Sequence, residues 1–250
     1  MIEAPAIEIS DLTMAYGDFV IQRDLSFTVN KGDIFVIMGG NGCGKTTLMR
    51  ALIGLQRPAM GTVLYGGEDF WGVFPAEQER LKRRLGIMFQ GGALWSSLTL
   101  AENIALPLKE YTALSLGRIA ELVSFKLALV GLAGFEDFYP AELSGGMKKR
   151  AGLARAMALD PDILIIDEPS SGLDPLTARR LDDLILELKD SLSTTVVIIT
   201  HELASILGIG TNSVFLDAEA RTMINTGDPR EALRSGDPKV RRFLTRGAEA

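Results

Sequence analysis

Apolar and polar positions alternate along Ile7-Glu8-Ile9-Ser10-Asp11-Leu12, which predicts a strand with one buried face, and Leu25–Val29 reads the same way. The turn residues Asn30-Lys31-Gly32-Asp33 lead into Ile34–Met38, an unbroken apolar run of buried-strand length. Glycines follow, and the spacing after them predicts a helix over Thr46–Leu55 that ends near Arg57-Pro58. Leu81–Arg84 belongs to a basic helical stretch ahead of a short strand at Gly86–Phe89. From Thr99 onward helical patterns dominate. Thr99-Leu100-Ala101-Glu102 matches a capping box, Arg118–Val130 carries apolar residues at helical spacing, and a further helix opens at Gly145 and runs to about Leu159. Strand patterns return at Ile163–Ile166 and Val196–Thr200. Between them Leu181, Leu184, Ile185 and Leu188 share one face of the amphipathic segment Leu176–Leu188, as in a helix packed on a sheet. Short strands at Ser213–Leu216 and Arg221–Asn225 and a polar helical tail complete the order, with no internal repeat. The pattern is an α/β core interrupted by a helical insertion over about residues 90–160.

Composition adds boundaries to this picture. The chain of 250 residues is long enough for one α/β domain with a modest second lobe, and 47% hydrophobic with 23% charged residues is the balance of a globular protein. Its longest apolar runs fall far short of the ~18 residues that predict a membrane span. Met1-Ile2-Glu3-Ala4-Pro5 has no basic stretch followed by an apolar core, so no signal peptide is expected. Any work at a membrane therefore calls for docking to another chain. A single cysteine excludes an intramolecular disulfide and suits a reducing cytosol. A net charge of −6 argues against a general nucleic-acid surface.

The first chemical signal is Gly39-Gly40-Asn41-Gly42-Cys43-Gly44-Lys45-Thr46, a complete G-x-x-x-x-G-K-[ST] phosphate loop. Glycines let the main chain curl until successive N–H groups point inward as an anion nest. The helix that follows aims its positive end at the same point. Lys45 sets a compact cation against the β- and γ-phosphates, and the Thr46 hydroxyl is a Mg²⁺ ligand. An apolar strand before the loop and a helix after it supply the required context. The alternative is a glycine-rich turn that happens to carry a lysine. Cys43 lies at a variable position of the loop; a redox switch there would lack a resolving cysteine.

The second signal is Ile163-Leu164-Ile165-Ile166-Asp167-Glu168, an apolar strand that ends in adjacent acids. Carboxylates at the edge of a core are costly unless paired, and Mg²⁺ beside a nucleotide gives such a pairing. Asp167 is then the metal-holding acid, and Glu168 the general base that polarises the attacking water. By itself this pattern is also met in strands without a catalytic role; the upstream phosphate loop gives it weight.

Leu143-Ser144-Gly145-Gly146-Met147 resembles the signature motif of the ABC ATPases, which normally ends in Gln. A serine hydroxyl and glycine N–H groups at a helix N-terminus make a second anion site. Other marks of that family follow in order across nearly the whole chain. Tyr16 looks like the aromatic that stacks on adenine, and Gln90 like the loop glutamine that senses Mg²⁺ and the γ-phosphate. Ser171-Gly172-Leu173-Asp174 is similar to the loop that communicates across the dimer, and His201, the only histidine, looks like the switch histidine. Tyr16 as a core aromatic and His201 as a structural histidine are the alternatives.

The resemblance implies a P-loop fold of the ABC ATPase type, with a RecA-like α/β core, an antiparallel β subdomain and a helical insertion. One domain would span 1–250, with its core at about 1–90 and 160–235, a helical subdomain at about 91–159 and a tail at about 236–250. It implies ATP and Mg²⁺ as cofactors. Nucleotide would be bound by Tyr16, Gly39 through Thr47, Ser144, Gly145, Gly146 and Asp174; Thr46, Gln90 and Asp167 would hold the metal; Lys45, Gln90, Glu168 and His201 would be catalytic. It also implies a homodimer in which Ser144 and Gly146 of one subunit close on the γ-phosphate held by Lys45 of the other, reopening after hydrolysis. Met147, followed by Lys148-Lys149-Arg150, is similar to the MlaF-type ATPases of MCE phospholipid transport. So are Phe89–Trp95, Glu102–Leu108 and Asp237–Leu244, while Ser170–Asp174 keeps the general ABC form where some members vary. That likeness implies integral-membrane permease partners, an MCE-domain substrate-binding protein, a small cytoplasmic accessory subunit and no nucleic acid, at the cytoplasmic face of a bacterial inner membrane. Three rivals remain: an importer ATPase for amino acids, metals or sugars, a soluble ABC ATPase of translation or DNA repair, and a non-hydrolysing scaffold. The second usually has two cassettes or a coiled-coil insertion, and intact Lys45, Asp167, Glu168 and His201 speak against the third.

Overall fold

A computed structural model describes residues 4–247, so Met1–Glu3 of the opening segment and the end of the tail lie outside the described residues. Two compact units emerge. One is built from the chain up to Lys82 and again from Thr195 on; the other is Arg83–Thr194.

In the first unit β1 (Ile7–Tyr16) and β2 (Phe19–Val29) form a hairpin with Ile7 opposite Val29 and Tyr16 opposite Phe19. The alternation in β1 places Ile7, Ile9, Leu12 and Met14 in the core. Asp11 adopts φ 48°, and the register shifts between Ile9 and Leu12 as expected of a bulge. The strand β3 (Ile34–Gly39) is buried along its whole length, which explains its unbroken apolar run. It is followed by α1 (Lys45–Leu52). That helix is shorter than its spacing predicts. Gly54 turns left-handed at φ 76°, while Tyr65 donates its hydroxyl to the Leu52 carbonyl and Trp71 its indole N–H to the Ala51 carbonyl at 3.2 Å. The end of the helix is thereby satisfied from outside, and the chain leaves.

A strand with no alternation signal, β4 (Met60–Tyr65), pairs antiparallel with β1, and β5 (Glu68–Asp69) extends it, giving a sheet of order β2-β1-β4-β5. Gly61, at φ 85°, lies so close to the Asp11 bulge that a Cβ would sit 2.5 Å from the Asp11 carbonyl oxygen. This is the antiparallel β subdomain implied by the resemblance. The short helix α2 (Pro75–Lys82) ends this stretch.

The second unit opens with β6 (Leu85–Met88) and continues into α3 (Leu100–Tyr111), whose Thr99–Glu102 capping box forms as expected. Buried Asn103 binds the carbonyls of Trp95, Leu98 and Thr99 and accepts from the Trp95 N–H, which holds the preceding loop against the helix. Next come α4 (Leu116–Leu129) and α5 (Gly145–Ala156). The latter stops earlier than expected, at Met157, with Asp160 left-handed at φ 50°. The strand β7 (Ile163–Asp167) pairs in parallel with β6, and α6 (Pro175–Leu192) buries Leu181, Ile185 and Leu188.

Back in the first unit, β8 (Thr195–Ile199) lies parallel to β3, α7 (Leu203–Ile209) follows, and β9 (Asn212–Asp217) pairs on the other edge of β3. With β10 (Thr222–Gly227) the order here is β10-β9-β3-β8. The tail, α8 (Pro229–Ser235) and α9 (Pro238–Leu244), is not the polar appendage its composition predicts. Ala232, Val240 and Leu244 are buried in one cluster with Val36, Met38, Ile206 and Phe215, and the Phe243 ring meets Phe215 edge-on at 5.2 Å. The short amphipathic period of seven-residue helices is easily mistaken for polarity.

Candidate functional site: a phosphate loop and a serine-capped helix tip

In the first unit the loop between β3 and α1 needs its glycines for stated reasons. Gly39 has φ 150°, and a Cβ there would lie 2.5 Å from the Leu216 carbonyl oxygen and 2.7 Å from the Cys43 sulfur. Gly44 has φ 99°, and a Cβ there would lie 2.8 Å from the Ile21 side chain and 3.0 Å from that of Gln22. The Lys45 ammonium reaches back over the loop, donating to the carbonyl oxygens of Gly39 at 2.8 Å and Gly40 at 3.0 Å. A cation therefore stands above a curl of main chain at the positive end of α1, an arrangement able to take a phosphate. Thr46 is exposed at the start of the helix.

Cys43 points inward and is buried. Burial pushes its thiol above the usual range, against the opposing pull of Lys45. Gln22, absent from the sequence-based site, fixes the loop from below: its amide donates to the Cys43 carbonyl at 2.7 Å and the Asp217 carbonyl at 2.9 Å. The period of β2 gave no signal for it: Gln22 is out of phase with Leu25, Phe27 and Val29, and the irregularity at Asp24, φ 53°, turns it inward.

Tyr16 sits at the tip of the β1–β2 hairpin with 49% of its surface exposed. Its hydroxyl donates to Gln56 at 2.9 Å and accepts from Arg50 at 3.3 Å. A hydrogen bond with Thr47, then Arg50, lowers its phenol below the ordinary value. The side chain is thus tethered by its hydroxyl and stays half exposed, so the core-aromatic alternative does not apply. His201 is exposed after β8 and lines a cavity of about 970 Å³ together with Gly39, Gly40 and Asn41.

In the second unit Ser144 caps α5, accepting from the Met147 N–H at 3.3 Å, and Gly145 and Gly146 form the helix tip. Gly146 permits a close approach: a Cβ would lie 2.7 Å from Thr177. Asp167 ends β7, and Glu168 takes a left-handed φ of 46°, an uncommon conformation for a residue other than glycine. The Gln90 side chain donates to the Ser171 hydroxyl at 3.2 Å. Asp174 caps α6, accepting from Leu176 and Thr177, and those hydrogen bonds, Thr177 first, hold its carboxyl below the usual range. The structure thus gives Asp174 a helix-capping role within its own unit.

Among the described residues no group of three or more His, Cys, Asp or Glu gathers to hold a metal ion.

A strand–glycine loop–helix with a lysine over the loop defines the P-loop nucleotide-binding class. The family model described as ABC transporter matches residues 22–171, and this chain belongs to that family. It is 40% identical over 240 residues to the probable ribonucleotide transport ATP-binding protein Mkl of Mycobacterium tuberculosis, covering 96% of this chain but 66% of that protein's length. It is 38% identical over 238 residues to the intermembrane phospholipid transport system ATP-binding protein MlaF of Haemophilus influenzae, covering 95% of this chain and 89% of that one. The Escherichia coli K12 MlaF is 36% identical over 241 residues, with 96% and 89% covered. Among solved structures, CbiO1 of Clostridium perfringens, part of the ABC transporter complex CbiONQ, superposes with a TM-score of 0.85 at 26% identity, covering 98% of this chain and 97% of that chain. The ATP-binding cassette MJ0796, a dimer in a post-hydrolysis state bound to ADP and Pi, gives 0.80 at 26% identity, covering 89% and 98%.

Proposed function

We propose that this chain is the ATP-binding and ATP-hydrolysing motor subunit of an ABC transporter, driving phospholipid transport between membranes. The observation that carries the ATPase reading is the Lys45 ammonium poised over the glycine loop at the head of α1. Family membership and the dimeric, ADP- and Pi-bound state of MJ0796 support it. Lys45 and the loop N–H groups bind the β- and γ-phosphates, and Tyr16 stacks on the base. Thr46, Asp167 and Gln90 would hold Mg²⁺, which when bound would draw charge from the phosphate oxygens. Glu168 accepts a proton from the water that attacks the γ-phosphorus, and the bond from that phosphorus to the bridging oxygen breaks, releasing ADP and phosphate. His201 contacts the γ-phosphate. Ser144, Gly145 and Gly146 bind the nucleotide of a second copy, which makes the working form a homodimer, and Asp174 belongs to the loop at that interface.

No helix among the described residues is long and apolar enough to cross a membrane. As its partners we propose integral-membrane permease subunits that carry the transported molecule, an MCE-domain protein and a small accessory subunit, at the cytoplasmic face of a bacterial inner membrane. Phospholipid as the cargo rests on the likeness to MlaF, whose length is covered at 89%. Ribonucleotide transport is the second reading, favoured by the 40% identity to Mkl. Mass spectrometry of the detergent-extracted complex separates them: co-purified phospholipid supports the first, bound ribonucleotide on the permease the second. For the motor itself, Glu168→Gln retains ATP while steady-state turnover falls at least about a hundredfold. Parental turnover in that variant would remove Glu168 from its role, and Lys45→Ala that still binds and cleaves ATP would remove the phosphate site.

A further inference from the structure

The second residue after Met147 is a lysine whose side chain runs inward rather than to solvent. Lys149 is 7% exposed, on the second turn of α5. Its ammonium donates to the Glu168 carbonyl at 2.9 Å and to the Gln90 carbonyl. Burial lowers its basicity, while the Glu168 and Asp167 carboxylates oppose that shift. Placing an ammonium here is costly unless its donors are used, and a methionine of similar length would avoid the cost. Both acceptors belong to residues given direct roles in hydrolysis above.

The same helix grips the rest of the Gln90 loop. The Arg155 guanidinium donates to the carbonyls of Ala93 at 2.7 Å and Gly92 at 3.2 Å. Gly152 lets Gly92 come so near that a Cβ would stand 2.8 Å from the Gly92 Cα. Ala93 and Glu168 both hold left-handed conformations, at φ 49° and 46°. Such geometry persists only where the surroundings over-determine it. At Glu168 the restraint includes Lys149 and the Ser171 N–H, which donates to the same carbonyl at 3.3 Å.

We infer that Lys149 is a positioning residue for hydrolysis: one buried ammonium ties the main chain of Glu168 and the Gln90 loop to the helix that Ser144 heads. It acts through the main chain, by fixing where the Glu168 carboxylate and Gln90 amide point. This rests on the catalytic reading of Glu168. In the full-length protein, Lys149→Met lowers kcat between about tenfold and a hundredfold, the range expected for small misplacement of a reacting group. The KM for ATP stays within about threefold, because the phosphate loop lies in the other unit. Lys149→Gln, which keeps a neutral donor, recovers part of the loss. In a Glu168→Gln background the same Lys149→Met change costs at least about threefold less than in the parent, since the base it positions is already gone and only the share carried through Gln90 is left.

A loss of equal size in both backgrounds makes Lys149 a general structural residue and overturns the inference, as does an unchanged kcat. Should Lys149→Met not fold, the Lys149→Gln pair of backgrounds decides by the same criterion. If Glu168→Gln alone keeps the parental rate, the catalytic reading fails first; if it loses activity while both Lys149 variants do not, only the positioning role fails.

Discussion

Cys43 shows how a residue's surroundings overrule its type. Its place in the phosphate loop invites a redox reading, yet the side chain is 1% exposed and burial raises its thiol above the usual value. A raised thiol carries less thiolate at a given pH, and the thiolate is the reactive form. Iodoacetamide therefore labels Cys43 more slowly than free glutathione at neutral pH, and its rate keeps climbing past the pH at which glutathione levels off. Labelling as fast as glutathione at pH 7 would restore the switch. Gln22 makes the complementary point. It was invisible as a functional residue because its partners, the carbonyls of Cys43 and Asp217, are far away in sequence and supply no side-chain motif.

At the scale of elements, helix starts were legible and helix ends were not. Thr99 and Ser144 announce their helices by local chemistry, a side-chain oxygen three residues before an N–H donor. The end of α1 depends instead on Tyr65 and Trp71, brought in from later strands and turns. The strand β4 escaped because Gly61 and exposed Met60 spoil its alternation, and its pairing with β1, which Gly61 carries past the Asp11 bulge, makes it a strand. The tail joins the core through both apolar and ionic contacts. Asp217, at the end of β9, accepts from the N–H groups of Ala220 and Glu219, and Lys239 of α9 reaches its other oxygen at 3.2 Å. The Ala220 hydrogen bond first, with Lys239 contributing, holds the carboxyl below its usual range. A lowered folded-state value gives stability that is present above the unfolded carboxylate's range and lost as pH falls through the folded one. Asp217→Asn therefore costs about 1–3 kcal/mol at pH 7, by urea melting, and the gap to the parent narrows in acid below about pH 4. A gap that is constant with pH would assign the loss to packing alone.

At the scale of the whole molecule, the proposed dimer places Ser144 of one copy against the nucleotide of the other. Ser144→Asp tests this with little cost to the fold, because Asp also caps helices well. The added negative charge meets the γ-phosphate. With Glu168→Gln also present and Mg·ATP supplied, light scattering finds a dimer for Glu168→Gln alone and a monomer for the double variant, while each still binds ATP through Lys45. A double variant that dimerises as well as the single one would place the second anion site elsewhere.

By itself the sequence determined the class. The phosphate loop, the acid-ended strand and the serine–glycine tip are contiguous motifs, and their chemistry needs only neighbouring main chain to be recognised. The alternating and unbroken apolar runs likewise declared β1 and β3, because strand burial follows directly from side-chain period. The tertiary structure alone decided what supports those motifs. Gln22 beneath the loop, Lys149 beneath Glu168, and the tail that closes over Val36 and Met38 all join residues far apart in the chain. The first two form because burial leaves a donor no water to bind, so each must take whatever carbonyl the fold brings within reach, and the tail packs because doing so removes its apolar side chains from water.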